Sequence, residues 1–145
     1  MIDMQQIGRL IALLDRHIST HKSLLELENR KTDILIKGDT AGLDSILKQE
    51  QPLIMESSNT EERRKELQKE MCIEKLTLNQ IAEQFPDKKK ELNDRSKELN
   101  NIIQSIKRVS GKNRKLINLR LSAIDHVIES AGISYDEELT YNKSF

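Results

Sequence analysis

The sequence holds little that would end a helix and little that would build an aromatic core. Of its 145 residues, five are glycine and two are proline; tryptophan is missing and aromatics make up 3%. So few breakers beside abundant Leu, Ile, Lys, Glu and Gln exclude a turn-rich sheet architecture and leave long helices. Without aromatic rings, the core must be built from aliphatic side chains along helix seams. Cys72 is the one cysteine, which excludes an intramolecular disulfide and a multi-cysteine metal cage. Net charge is zero, so no long-range field commits the whole chain to nucleic acid or to acidic membranes. The longest apolar run, Leu10 to Leu14, is far shorter than the roughly 20 residues needed to cross a bilayer. The opening Met1-Ile2-Asp3-Met4-Gln5-Gln6 lacks the basic start and apolar core of a signal peptide. These features predict a single-domain cytoplasmic protein that inserts into no membrane.

What is present is helical periodicity. Asp3 and Gln6 have the spacing of a capping box, with Ile2 and Ile7 as its hydrophobic staple. From there Ile7, Leu10, Ile11, Leu14, Ile18, Leu24 and Leu35 recur at threes and fours. This predicts a helix over about residues 3–37, stopped by Gly38 and restarted by Asp39 or Thr40. A second helix is predicted over about 40–73, bent at Pro52, with Ser57–Thr60 as the place where it could break. Thr77 and Gln80 form another capping box opening a short helix over about 77–85. Phe85-Pro86 ends it, and the longest helix follows over about 87–131, where Gly132 stops it. Long amphipathic rods with short links must fold back on one another, and apolar spacing near 3.5 favours coiled-coil-like packing. The predicted fold is therefore all-α: an antiparallel helical bundle of three long coiled-coil-like helices plus one short helix, over residues 1–132.

Two features depart from this pattern. His21, Glu28, Glu50, Arg64, Asn113 and Arg120 fall on seam positions where an ideal heptad places Leu. Such residues either fix register at some cost in stability or mark layers where the bundle opens to a partner. Residues 133–145 carry three of the four aromatics, Tyr135, Tyr141 and Phe145, interleaved with Asp136, Glu137 and Glu138. A segment this short forms no stable helix alone and reads as a flexible aromatic and acidic tail.

Sites of chemistry are scarce. His17 and His21 stand four residues apart on one helical face, but Ile18 follows His17 where a zinc-protease helix needs Glu, and His126 is distant. Seam or solvated histidines are the better reading. No Glu-x-x-His pair, glycine-rich phosphate loop, Gly-x-Ser-x-Gly elbow or Cys-x-x-Cys occurs. No enzymatic role, catalytic residue, metal or cofactor is expected. Lys107, Arg108, Lys112, Arg114, Lys115 and Arg120 form a basic run with no acidic residue between Leu99 and Ile124. No aromatic is interleaved for base stacking, so a solvated face compensated by acidic neighbours outweighs nucleic-acid binding.

Two stretches carry a family likeness. One is His21-Lys22-Ser23-Leu24-Leu25-Glu26-Leu27 with Lys31, then Leu35-Ile36-Lys37-Gly38-Asp39-Thr40-Ala41-Gly42-Leu43, and Glu50-Gln51-Pro52-Leu53-Ile54 beyond it. The other is Lys112-Asn113-Arg114-Lys115-Leu116-Ile117 with Leu121 and Ile124, followed by Leu139-Thr140-Tyr141-Asn142. Across nearly its whole length the chain resembles the FlgN-type flagellar export chaperones. The resemblance implies a cytoplasmic type III export chaperone. It would bind hook–filament junction (hook-associated) proteins, prevent their premature assembly and deliver them to a component of the flagellar export gate. Ile117, Leu121, Ile124, Val127 and Ile128 are the expected client-binding stripe, by helix-in-groove recognition, and Tyr141 is the expected export-gate contact, carried over from the family's tail tyrosine. Bundle core is the competing reading for the five apolar residues.

The alternative from a different class is a helical coiled-coil adaptor or a homo-oligomeric structural bundle. A chaperone with an empty groove can also pair with a second copy as a homodimer, and the sequence leaves the oligomeric state open. It also leaves open the relative affinity for individual junction proteins.

Overall fold

A computed structural model describes residues 4–132 of the chain. It contains α1 (Met4–Lys37), α2 (Thr40–Glu70), the short α3 (Leu78–Gln84), a single 3-10 turn (Pro86–Lys88) and α4 (Lys89–Ser130). The expected tail, 133–145, and the Asp3 cap lie outside the described residues.

Each boundary has a local cause. At the end of α1, Gly38 adopts φ +73° and its N–H bonds to the Leu35 carbonyl, while the Asp39 N–H reaches back to Ile34. This paired pattern, with a left-handed residue just past the helix, satisfies carbonyls that α1 would leave bare. Asp39 then caps α2 by accepting from the Gly42 N–H at 2.9 Å. The same closure ends α2, with Cys72 at φ +59° in the glycine position: its N–H bonds to Lys69 and that of Ile73 to Gln68. Thr77 and Gln80 form their reciprocal capping box at α3. Within α2, Pro52 and Ser57–Thr60 are accommodated in one uninterrupted helix.

Successive rods alternate in direction. Arg16 of α1 pairs with Glu56 of α2, while Lys31 further along α1 pairs with Glu50, so α1 and α2 are antiparallel. Arg95 pairs with Asp15, and Asn113 bonds to Glu28, so α4 runs parallel to α1. Both α2 and α4 pack along α1 and scarcely touch each other. α1 is thus the central rod, and a cleft opens between its two flanking helices.

The apolar core sits at one end. Ile7, Leu10, Ile11 and Leu14 of α1 meet Leu67 and Met71 of α2, Ile73, Ile81 and Ala82 around α3, and Leu92 of α4. Phe85 packs against this cluster. Burying each of these large side chains contributes about 1.5–3 kcal/mol. Further along, polar layers are interspersed with buried apolar residues such as Leu27, Leu35, Ile46 and Ile102. Asn113, 1% exposed, donates to the Glu28 backbone carbonyl and to Glu28 Oε1, both at 2.9 Å. Its carbonyl accepts from the Thr32 hydroxyl at 2.6 Å. Glu28 also pairs with Lys31, which pairs with Glu50. One connected polar layer therefore ties α4 to α1 and α1 to α2. A shift by one turn would leave these buried groups without partners, so the layer fixes register.

Candidate protein-binding surface

α1 is 34 residues long, about 51 Å at the helical rise of about 1.5 Å per residue. α4 has 42 residues and is about 63 Å long on the same rise. Because the two start near the same end and run in the same direction, α4 outlasts its partner. The point of overrun is marked by Arg120. Its Nε donates to the Leu35 carbonyl at 2.6 Å and one Nη to the Ile36 carbonyl at 2.9 Å. A cation on the last carbonyls of a helix also complements the negative end of its dipole. Past Arg120, α4 continues for another ten residues to Ser130, about 15 Å of helix.

The apolar seam continues through this overrun, but among the described residues its cover does not. The buried residues of α4 are Leu92, Ile102 and Asn113. Ile117, Leu121 and Ile128 are half-buried, whereas Ile124 is 54% and Val127 64% exposed. Ile117, Leu121, Ile124 and Ile128 follow one another at steps of four, three and four, a single helical row; Val127 flanks it. Of the two readings of these residues, a closed core does not apply to Ile124 and Val127 among the described residues. Ile36, on the last turn of α1, is 60% exposed, and Leu119, 67% exposed, lies on the side of α4 opposite the row. Arg120 and Asn113 were visible as seam irregularities, but what they bond to was not. Tyr141 lies outside the described residues.

The cleft between α2 and α4 is about 420 Å³ and is lined by Leu14, His17, His21, Glu61, Arg64 and Leu99, among others. His17 Nε2 lies 3.1 Å from Glu61 Oε2, and His21 Nδ1 lies 2.7 Å from the His17 carbonyl. A carbonyl only accepts, so His21 Nδ1 carries its proton. His17 Nε2 likewise donates to the carboxylate, which leaves His17 Nδ1 buried without a partner. Burial holds the His17 imidazole below the usual histidine range, against the raising influence of Glu61. Arg64, bonded to Glu61 and Gln68, holds the Glu61 carboxyl below the usual carboxylate range. Among the described residues no group of three or more His, Cys, Asp and Glu side chains is arranged to hold a metal. Apart from His17 Nδ1, this cleft is a hydrogen-bonded polar cluster on a helical seam.

The basic run is solvent-facing. Lys107, Arg108, Lys112, Arg114 and Lys115 are all exposed. None of them forms an ion pair or hydrogen bond among the described residues. Arg120, the sixth cation, is occupied at the end of α1.

A family model, FlgN protein, matches residues 1–144. The chain belongs to the FlgN family. Members are flagellar export chaperones rather than enzymes, which agrees with an all-helical molecule offering an uncovered apolar row. No curated protein and no solved structure gives a match to this FlgN chain. Among its described residues no helix is long and apolar enough to cross a membrane.

Proposed function

We infer that this FlgN-family chain is a cytoplasmic chaperone of hook–filament junction proteins. It holds their amphipathic terminal segments unassembled and hands them to the flagellar export gate. The observation that carries this reading is the overrun of α4: a helical apolar row extends to Ile128, about 12 Å past the Arg120 cap, with no other helix among the described residues beside it. Such a row favours docking of an amphipathic helix at i, i+3, i+4 and i+7 spacing. Ile117, Leu121, Ile124, Val127 and Ile128 are assigned to client contact. Tyr141 is assigned to the export gate.

Capture of C-terminal segments of junction proteins tests the reading, comparing the intact chain, a 1–132 truncation and the double variant Ile124→Asp/Val127→Asp. A one-to-one complex is expected for the intact chain and loss of capture for the double variant, with helicity unchanged. Loss of capture is expected for the 1–132 truncation as well. Undiminished capture by the double variant would remove the row from the site. A tight homo-oligomer that captures no junction segment would favour the adaptor reading instead.

A further inference from the structure

The unpaired basic run sits in a defined place. At about 100° per residue, Lys107, Arg108, Lys112, Arg114 and Lys115 fan across an arc of about 160°. Ile102 and Asn113, the buried positions that face α1, point to the opposite side. The five cations occupy two turns, about 12 Å of helix. No acidic side chain interrupts them in sequence from Leu99 to Ile124. The net charge of the chain is zero, so this is a local field. It acts within about a Debye length, ~10 Å at 0.1 M salt. Towards the start of α4, by contrast, Lys89 and Arg95 have acidic partners and Glu98 pairs with Lys22 of α1, although Lys90 and Lys97 form no ion pair among the described residues.

We propose that the outer face of α4, Lys107 to Leu119, is a docking surface for an anionic phospholipid bilayer. Charge complementarity selects a polyanion. The shape narrows the choice: the outer side of a single helix is convex and offers no groove for a peptide, whereas lipid headgroups rearrange laterally around such a face. Leu119 narrows it further. It is 67% exposed and lies on the same side as Lys112 and Lys115, one turn on. An apolar side chain among cations gains by entering the headgroup–acyl boundary and gains nothing against the phosphates of a duplex. The face has no aromatic to stack on bases. Adsorption here is peripheral and leaves the Ile117–Ile128 row on the other side of α4 free, so it is independent of the client reading and compatible with it.

Co-sedimentation of the full chain with vesicles tests the proposal. One set is phosphatidylcholine alone; the other is one part phosphatidylglycerol to two parts phosphatidylcholine. Binding is expected to the anionic vesicles only and to fall steeply as salt is raised. The triple variant K112E/R114E/K115E is expected to lower partitioning by roughly 100-fold or more, since each basic side chain near the surface carries a substantial increment. The milder K112Q/R114Q/K115Q is expected to fall between, and both should retain wild-type helicity and capture of junction segments. Three results overturn the proposal: no anionic-vesicle binding at low salt, binding unchanged by the triple reversal, or binding to a DNA duplex with none to vesicles.

Discussion

The guanidinium of Arg120 lies against Gly38, with Nη1 2.7 Å from where a side chain on that glycine would begin. The contact joins two requirements at one point. Gly38 is in the left-handed region, φ +73°, because α1 must end there. It must also lack a Cβ so that an arginine from α4 can reach the last carbonyls of α1. Gly38→Ala is therefore expected to cost more than the ~1–2 kcal/mol of a left-handed alanine, and Arg120→Ala about 1–3 kcal/mol for its charged hydrogen bonds. The double variant should cost clearly less than the sum, since removing Arg120 removes the collision. Urea denaturation of the three variants checks this; strict additivity would mean that the two residues do not meet.

Asn113 stands where a heptad would place Leu, and the substitution Asn113→Leu looks favourable by pattern alone. It would instead leave the Thr32 hydroxyl and Glu28 Oε1 without their Asn113 partner in the buried layer. A loss of about 1–3 kcal/mol is expected in chemical denaturation. A variant as stable as the parent would show that the layer contributes register but no net stability.

Cys72 holds a left-handed conformation, φ +59°, at the end of α2, and its side chain is exposed. Cys72→Gly relieves that backbone cost and should raise stability by about 1 kcal/mol. An unchanged or lowered denaturation midpoint would argue against the observed closure of α2.

Stability should depend on pH through the His17–Glu61 pair. A histidine ordinarily titrates near 6.5, and burial keeps folded His17 below that value. Between the two values the unfolded chain binds more protons than the folded one, so stability falls as pH drops below about 6.5. The decline from His17 is complete once pH is below its folded value. Glu61, held below its ordinary 4.5 by Arg64, adds a second loss as pH falls through that lower range. His17→Gln keeps a donor for Glu61 but does not titrate, so it should flatten the slope between neutrality and mild acid while leaving the lower loss. Equal slopes for both proteins would exclude His17 as the source.

The two ends of the molecule should respond differently to truncation of apolar side chains. Leu14→Ala, in the sealed cluster, is expected to cost about 2–5 kcal/mol. Val127→Ala, 64% exposed, should stay within about 0.5 kcal/mol of the parent. Thermal or urea midpoints compare them directly; similar costs would mean that the α4 overrun is covered.

Local chemistry made much of the architecture readable. The Thr77–Gln80 capping box, the Asp39 cap and the Gly38 stop act over a few residues, and each occurs in the fold where its sequence spacing places it. The spacing of Ile7, Leu10, Ile11 and Leu14 likewise fixed which face of α1 is buried. The left-handed Cys72 was not readable, because no residue-type signal marks it. The basic run was readable as a run, but its lack of direct ion pairs among the described residues was not, since pairing depends on which helices lie alongside.

The sequence alone determined the helices, their ends and their apolar faces, because these follow from backbone hydrogen bonding and side-chain periodicity within a few turns. Only the tertiary structure decided where the apolar faces run out of partners. That depends on α4 lying parallel to α1 and being longer, with Arg120 closing the shorter rod. Exposure is a relation between chains of residues far apart in sequence, here separated by 85 positions at Arg120 and Leu35, and no local pattern encodes it.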